Sequence, residues 1–256
     1  MADKSSIEWT DSTWNPVTGC TEVSPGCDHC YARTFAERFR GVKGHPYEQG
    51  FDLKLWPERL DLPLKWKRPR RIFVNSMSDL FHRDVPDDYI ERVFSTMYEA
   101  NHHIFQILTK RSARLARLAS RLPWPPNVWA GVSIESIQYK WRAEHLRQVP
   151  AEVRFISAEP LLGSLDDLAL TGIQWLIVGG ESGPSHRPCN PEWVRQLRDR
   201  ALEYNVAFFF KQWGGRSPKS GGRELDGRTW DEYPILNNQE LAQSLFSSNE
   251  QFTVVV

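Results

Sequence analysis

A chain of 256 residues is long enough for one large α/β domain or two smaller ones, with a sizeable core. Its 32 lysines and arginines balance 32 aspartates and glutamates, which excludes a global field drawing it to nucleic acid or to a membrane. No stretch nears the roughly 18 apolar residues of a membrane span, and no apolar run follows the first basic residue. The expectation is a cytoplasmic protein, in whose reducing surroundings four cysteines serve sooner as metal ligands than as disulfides.

Residues 7–19 read as a short strand entering the loop Cys20-Thr-Glu-Val-Ser-Pro-Gly-Cys27-Asp-His-Cys30. Three cysteines lie there with six and then two residues between them, on a segment bent by Pro25 and Gly26, so their thiols can point at one centre. That spacing leaves three readings open. A four-iron, four-sulfur cluster would keep one iron free. Zinc would need a fourth ligand. The third reading is a reduced loop without metal. After Cys30, the positions of Ala32, Phe35, Ala36 and Phe39 predict a helix over 31–40, closed by Gly41. Residues 41–71 form a long excursion without steady periodicity. It ends in the basic run Lys65–Arg71 around Trp66, either a solvated approach to the next strand or a phosphate-binding patch.

From residue 71 the chain alternates. Strands are predicted at 71–75, 104–108, 128–132, 153–156, 175–178 and 206–210. Helices are predicted at 87–100 with Asp87 as cap, at 112–122, at 137–149, and after Asn190-Pro191-Glu192, a favoured helix start. Apolar strands alternating with helices predict a parallel sheet, here a complete or partial (β/α) barrel, with an open doubly wound sheet as the alternative. Residues 1–213 would make the barrel, 214–236 an extended appendage, and 237–256 a polar tail.

Six successive strands end in a charged residue: Asp79, Lys110, Glu135, Glu159, Glu181 and Lys211. Ser76, Ser78, Ser133 and Gln212 lie beside them. In a parallel barrel these ends converge on one mouth, where active sites of this architecture lie, and the cysteine loop would share it. No nucleophile elbow, Walker loop or dinucleotide fingerprint competes; Gly179-Gly-Glu-Ser-Gly183 lacks the last spacing. His102 and His103 are expected to cap or pack, whereas His29 stands inside the cysteine loop. Cys189, far along the chain, is expected to pack.

At these residues the chain resembles a known family. Ile7-Glu-Trp-Thr-Asp, Trp14-Asn-Pro-Val-Thr-Gly-Cys20, Pro25-Gly-Cys27-Asp-His-Cys30-Tyr-Ala, Phe73-Val-Asn-Ser-Met-Ser-Asp-Leu-Phe81, Gly179-Gly-Glu-Ser-Gly183, Phe208-Phe-Phe-Lys-Gln-Trp-Gly214 and Leu225-Asp-Gly-Arg-Thr-Trp-Asp-Glu232 resemble a phage-associated three-cysteine-motif family of unknown function. That family looks related to the radical S-adenosylmethionine (SAM) enzymes, whose common cysteine spacing is three then two.

The resemblance implies a partial barrel, with Cys20, Cys27 and Cys30 on a [4Fe-4S] cluster and SAM at the open iron. His29 would flank the adenine. Ser76, Ser78 and Asp79 would meet the methionyl ammonium in place of a glycine-glycine-glutamate, and Ser133 and Glu135 would meet the ribose. Lys110, Glu159, Glu181, Lys211 and Gln212 would remain for the substrate or the SAM carboxylate. An electron donor is an implied partner. The competing classes are a zinc-structured binding protein, with Cys189 as a possible fourth ligand, and a phage-type accessory factor without catalysis. Phage association also suggests local, weak nucleic-acid binding through 65–71 and 110–121. There Leu115, Leu118 and Leu122 would face the barrel, with Arg114, Arg117 and Arg121 outward.

Overall fold

Strand-forming residues come in seven short runs. In the computed structural model, which describes residues 5–217 and 219–235, they make one parallel sheet. The predicted tail at 237–256 lies outside the described residues. The sheet strands are β1 (Ser12–Trp14), β4 (Arg71–Val74), β5 (Ile104–Thr109), β6 (Val128–Ser133), β7 (Arg154–Ala158), β8 (Trp175–Gly179) and β9 (Ala207–Gln212). The short β2 (Val17–Thr18) and β3 (Lys54–Leu55) form an antiparallel ribbon where the excursion folds back on the first segment. Spatial order follows chain order throughout, β1-β4-β5-β6-β7-β8-β9. A doubly wound sheet would reverse its order at a switch point, so that alternative is excluded. β1 and β9 do not pair with each other among the described residues; the sheet is a half-barrel, the partial form of the expected barrel.

Both faces of the sheet are buried, which is why its strands read as nearly unbroken apolar runs. On the convex face Ile72, Val74, Phe105, Ile107, Ala130, Val132, Ile156, Leu176, Val178, Phe208 and Phe210 pack into the main core with the helices. On the concave face Trp9, Phe73, Trp129, Phe155, Trp175 and Phe209 form a second cluster, against which Tyr233 packs. Gly131 leaves room for the Phe155 ring there; a Cβ would lie 2.3 Å from it. This aromatic cluster fills the half-barrel between β1 and β9. Among the concave-face positions nearer the carboxyl ends are small residues, Gly131, Ser133, Ser157 and Gly179. Segment 230–232 runs along β9, with Phe210 N donating to Trp230 O at 2.9 Å and Glu232 N to Phe208 O at 3.2 Å, so the appendage covers an edge strand.

The helices are α1 (Tyr31–Glu37), α2 (Asp87–Glu99), α3 (Ser112–Ala119), α4 (Trp141–Arg147) and α5 (Pro191–Glu203). Asn190 caps α5 as expected, its side chain accepting from Glu192 N at 3.0 Å. Three expectations differ in detail. α1 ends before residue 40, because Arg38, Phe39 and Arg40 tighten onto carbonyls three residues back while the Arg40 guanidinium reaches Glu37 and Asp52. The cap of α2 is Pro86; Asp87 is the first helical residue, and its carboxylate receives Arg114 and Arg121. The span 137–149 divides into a 3-10 turn at Ile137–Tyr139 and α4. Between β7 and β8 no helix forms; buried Leu161, Leu165, Leu168, Leu170 and Ile173 cover the sheet from an irregular segment. No helix among the described residues is long and apolar enough to cross a membrane.

Candidate functional site

The cysteine loop leaves β2 and closes onto α1, so the sheet topology puts it over the carboxyl ends of the strands. Its backbone is a short ladder: Cys27 N donates to Ser24 O at 2.8 Å and Cys30 N to Cys27 O at 3.2 Å, while Cys20 N reaches Phe51 O at 3.2 Å. All three thiols are free and half-buried. Cys20 and Cys30 pack with Met77 against Ala32, Ala36 and Phe51.

Three strand ends hold this loop from below. After β6, Glu135 has no exposed side-chain surface; Ser24 Oγ donates to its Oε1, and Arg142 of α4 donates to Oε2 at 2.7 Å. Gly26 leaves room for that carboxylate, since a Cβ there would stand 2.9 Å from Glu135 Oε1 and force it to shift. After β8, buried Glu181 receives Arg187 through both carboxylate oxygens, the Arg187 backbone N–H at 2.9 Å and His29 Nδ1 at 2.9 Å. Arg187 continues to Pro25 O at 2.8 Å and Asp28 at 3.2 Å. Burial works to raise the Glu181 carboxyl, but hydrogen bonds from Arg187 and His29 prevail and hold it at about 2, so it stays a carboxylate.

Beyond β4, Asp79 accepts from Thr109 Oγ1 at 2.7 Å, Phe81 N at 3.0 Å, Lys110 N at 3.1 Å and Arg111 Nη1 at 3.1 Å. These four donors use its whole accepting capacity. The same Arg111 nitrogen donates to Cys20 Sγ at 3.3 Å, and Arg111 Nη2 donates to Thr21 O and Oγ1, each at 2.9 Å. Burial and the Asp79 carboxylate raise the Cys20 thiol to about 11, against the opposing pull of Arg111.

The strand-end residues thus separate into two groups. Asp79, Glu135 and Glu181 are spent on fixing the cysteine loop, so ribose and ammonium contacts expected of Glu135 and Asp79 would compete with donors already in place. Ser76 and Ser78 also hold backbone together, Ser76 through Asn15 and Tyr31, Ser78 through Val17 O. The second group remains over the half-barrel. Lys211 pairs with Glu159. Lys110 is half-buried, at a register position continuing the concave face of β5, and its ammonium has no hydrogen bond or ion pair with a described residue. Ser133 and Ser157 are register partners between β6 and β7, and the buried Ser157 hydroxyl has no partner. Gln212 donates to Ser182 Oγ at 2.7 Å and leaves its carbonyl oxygen unpartnered.

Cys189 lies apart, against the core and the backbone of Gly180, and burial pushes its thiol up to about 11. His102 and His103 accept packing roles, bonding to Trp66 O at 2.7 Å and Pro63 O at 3.1 Å. Of the basic runs, Arg71 is buried on Asp11, while Arg114 reaches His82 O, Val85 O and Asp87, and Arg121 reaches Asp87 and Glu91. Arg114 is therefore not outward, because Asp87 of α2 and the carbonyls of His82 and Val85 draw it in. Sequence reading missed Arg111, Arg142 and Arg187. For Arg142 a signal existed: it stands beside Ala143 on the apolar face of its helix.

The donor set can be tested against the implied cluster. Among the described residues, no three His, Cys, Asp or Glu side chains close on a single ion. Among the described residues no carboxylate or imidazole bonds to any of the three thiols, and their one charged hydrogen-bond partner is the Arg111 cation, at Cys20. Three thiols on one loop, partly sheltered by Phe51 and Met77, fit a group that takes one thiolate at each of three irons.

A parallel half-barrel with a three-cysteine loop clamped over its carboxyl edge is the class that fold and site define. The chain belongs to the family described as a protein of unknown function (DUF5131), which it matches over residues 4–234. No curated protein matches it. Among solved structures, it is similar to spore photoproduct lyase complexed with dinucleoside spore photoproduct, at TM-score 0.46 and 13% identity, over 93% of this chain and 75% of that one. A double mutant of spore photoproduct lyase with bound AdoMet and the dinucleoside gives TM-score 0.45 and 14% identity, over 94% of this chain and 73% of that one. These similarities are weak, and neither carries residues over to this chain.

Proposed function

We propose that this chain is an iron–sulfur protein of the radical SAM kind, as its resemblance to a phage-associated three-cysteine-motif family implies. In this reading Cys20, Cys27 and Cys30 bind a [4Fe-4S] cluster. The observation that carries it is the clamp: Asp79 with Arg111, Glu135 with Arg142, and Glu181 with Arg187 fix one three-thiol loop over the concave face. When bound, the cluster supplies an electron and an open iron at which SAM is reductively cleaved.

The chain's own residues do the rest. Arg111, Glu135 and Glu181 hold the thiols in place. His29, tied to Glu181, is fixed beside Cys30 to flank an adenine, and Ser133 lies at the rim for a ribose. Ser76 and Ser78 stay close to the Cys20 end. Lys110, Glu159, Lys211 and Gln212 face the remaining space and orient a substrate, with the Ser157 hydroxyl as a further hydrogen-bonding group. The aromatic cluster below excludes water from that side. The substrate favoured is a small molecule or peptide, since Arg114 and Arg121 are already paired with acids of α2. A zinc-structured accessory protein is the lesser reading, because Cys189 sits against the core.

Reduced, reconstituted protein is expected to convert SAM slowly to 5′-deoxyadenosine and methionine, measured by chromatography, and SAM should alter the cluster's electron-resonance spectrum. A cluster whose spectrum ignores SAM would show a relative that has lost the cofactor.

A further inference from the structure

We propose that Arg111 and Asp79 set the reduction potential of the cluster through Cys20, and that they push it in opposite directions. This rests on the cluster reading above. One guanidinium nitrogen, Arg111 Nη1, donates both to Cys20 Sγ at 3.3 Å and to Asp79 Oδ2 at 3.1 Å. The two side chains are 13% and 8% exposed, so solvent and salt screen them little. Both are locked. Arg111 is tied to Thr21 by its second nitrogen, and Asp79 by Thr109, Phe81 N and Lys110 N. Neither Cys27 nor Cys30 has a charged hydrogen-bond partner at its sulfur among the described residues, so the influence is confined to one of three ligands.

The direction follows from charge. Reduction adds one electron to the cluster, with no bond made or broken, and makes it more negative. A permanent cation donating to a ligating sulfur stabilises the reduced state and raises the potential. A carboxylate beside the same sulfur destabilises that state and lowers it. Arg111 therefore works as a positioning residue through Cys20, with Asp79 as its counterweight.

The test is a redox titration of anaerobically reconstituted protein without SAM, with dithionite as electron source. Wild type is compared with Arg111→Gln, Arg111→Lys and Asp79→Asn. At a poise equal to the wild-type midpoint, Arg111→Gln should lower the reduced-to-oxidised ratio about tenfold, equivalent to about 59 mV for a one-electron couple. Asp79→Asn should raise it, and Arg111→Lys, which keeps the charge, should stay near wild type. Opposite signs are the signature that mere loosening of the loop would not give. Unchanged midpoints, or shifts of the same sign in Arg111→Gln and Asp79→Asn, overturn the proposal while leaving the cluster reading intact. If Arg111→Gln takes up no iron, Asp79→Asn decides by rising or failing to rise. Wild type without iron overturns the cluster reading, and this proposal with it.

Discussion

Cys27→Ala is expected to abolish iron uptake, whereas Cys189→Ala should retain the full wild-type complement. Cys27 is the middle thiol of the loop, between a turn fixed by Ser24 and one that leads to Cys30. Its neighbours are not free to replace it: Asp28 is bonded to Arg187 and His29 to Glu181. Cys189 stands outside that loop, half-buried against the main core. Iron analysis and the visible absorption of reconstituted variants measure the effect. Loss of metal in Cys189→Ala alone would reopen the zinc reading.

Arg142→Met should destabilise the fold by about 3–5 kcal/mol, because removing one partner of a buried ion pair strands the other charge. Arg142 and Glu135 are 1% and 0% exposed and 2.7 Å apart, and Arg142 also donates to Ser133 O at 2.8 Å. Without the guanidinium, Glu135 keeps only Ser24. Adding Glu135→Gln to Arg142→Met should recover part of the loss by removing the stranded charge. Urea denaturation compares the three proteins. A single-variant loss under about 1 kcal/mol, the range of an exposed pair, would show that the pair is not the anchor of this loop.

The alternation of apolar runs made the half-barrel legible, since a strand buried on both faces has few polar residues to confuse its bounds. Charged residues immediately after those runs stand at the carboxyl ends of the strands. What they do there was not legible. Whether Glu135 faces a ligand or a neighbouring arginine depends on Arg142, which only the crossing of α4 over β6 brings beneath it. Arg111 was hidden for a related reason. It reads as the start of a basic helix face, yet it precedes α3 and turns back to Cys20, 91 residues earlier in the chain. Arg114 read as outward because its acid, Asp87, stands on another helix; Arg121 does lie outward, paired with Asp87 and Glu91. Local features fared better. The Asn190-Pro191 start needs no distant partner, and it formed as read.

The most direct measurement is the metal content of wild-type protein purified and reconstituted without oxygen. The three-thiol loop predicts brown protein with about four irons per chain, lost on exposure to air. Stoichiometric zinc with no iron uptake would contradict it.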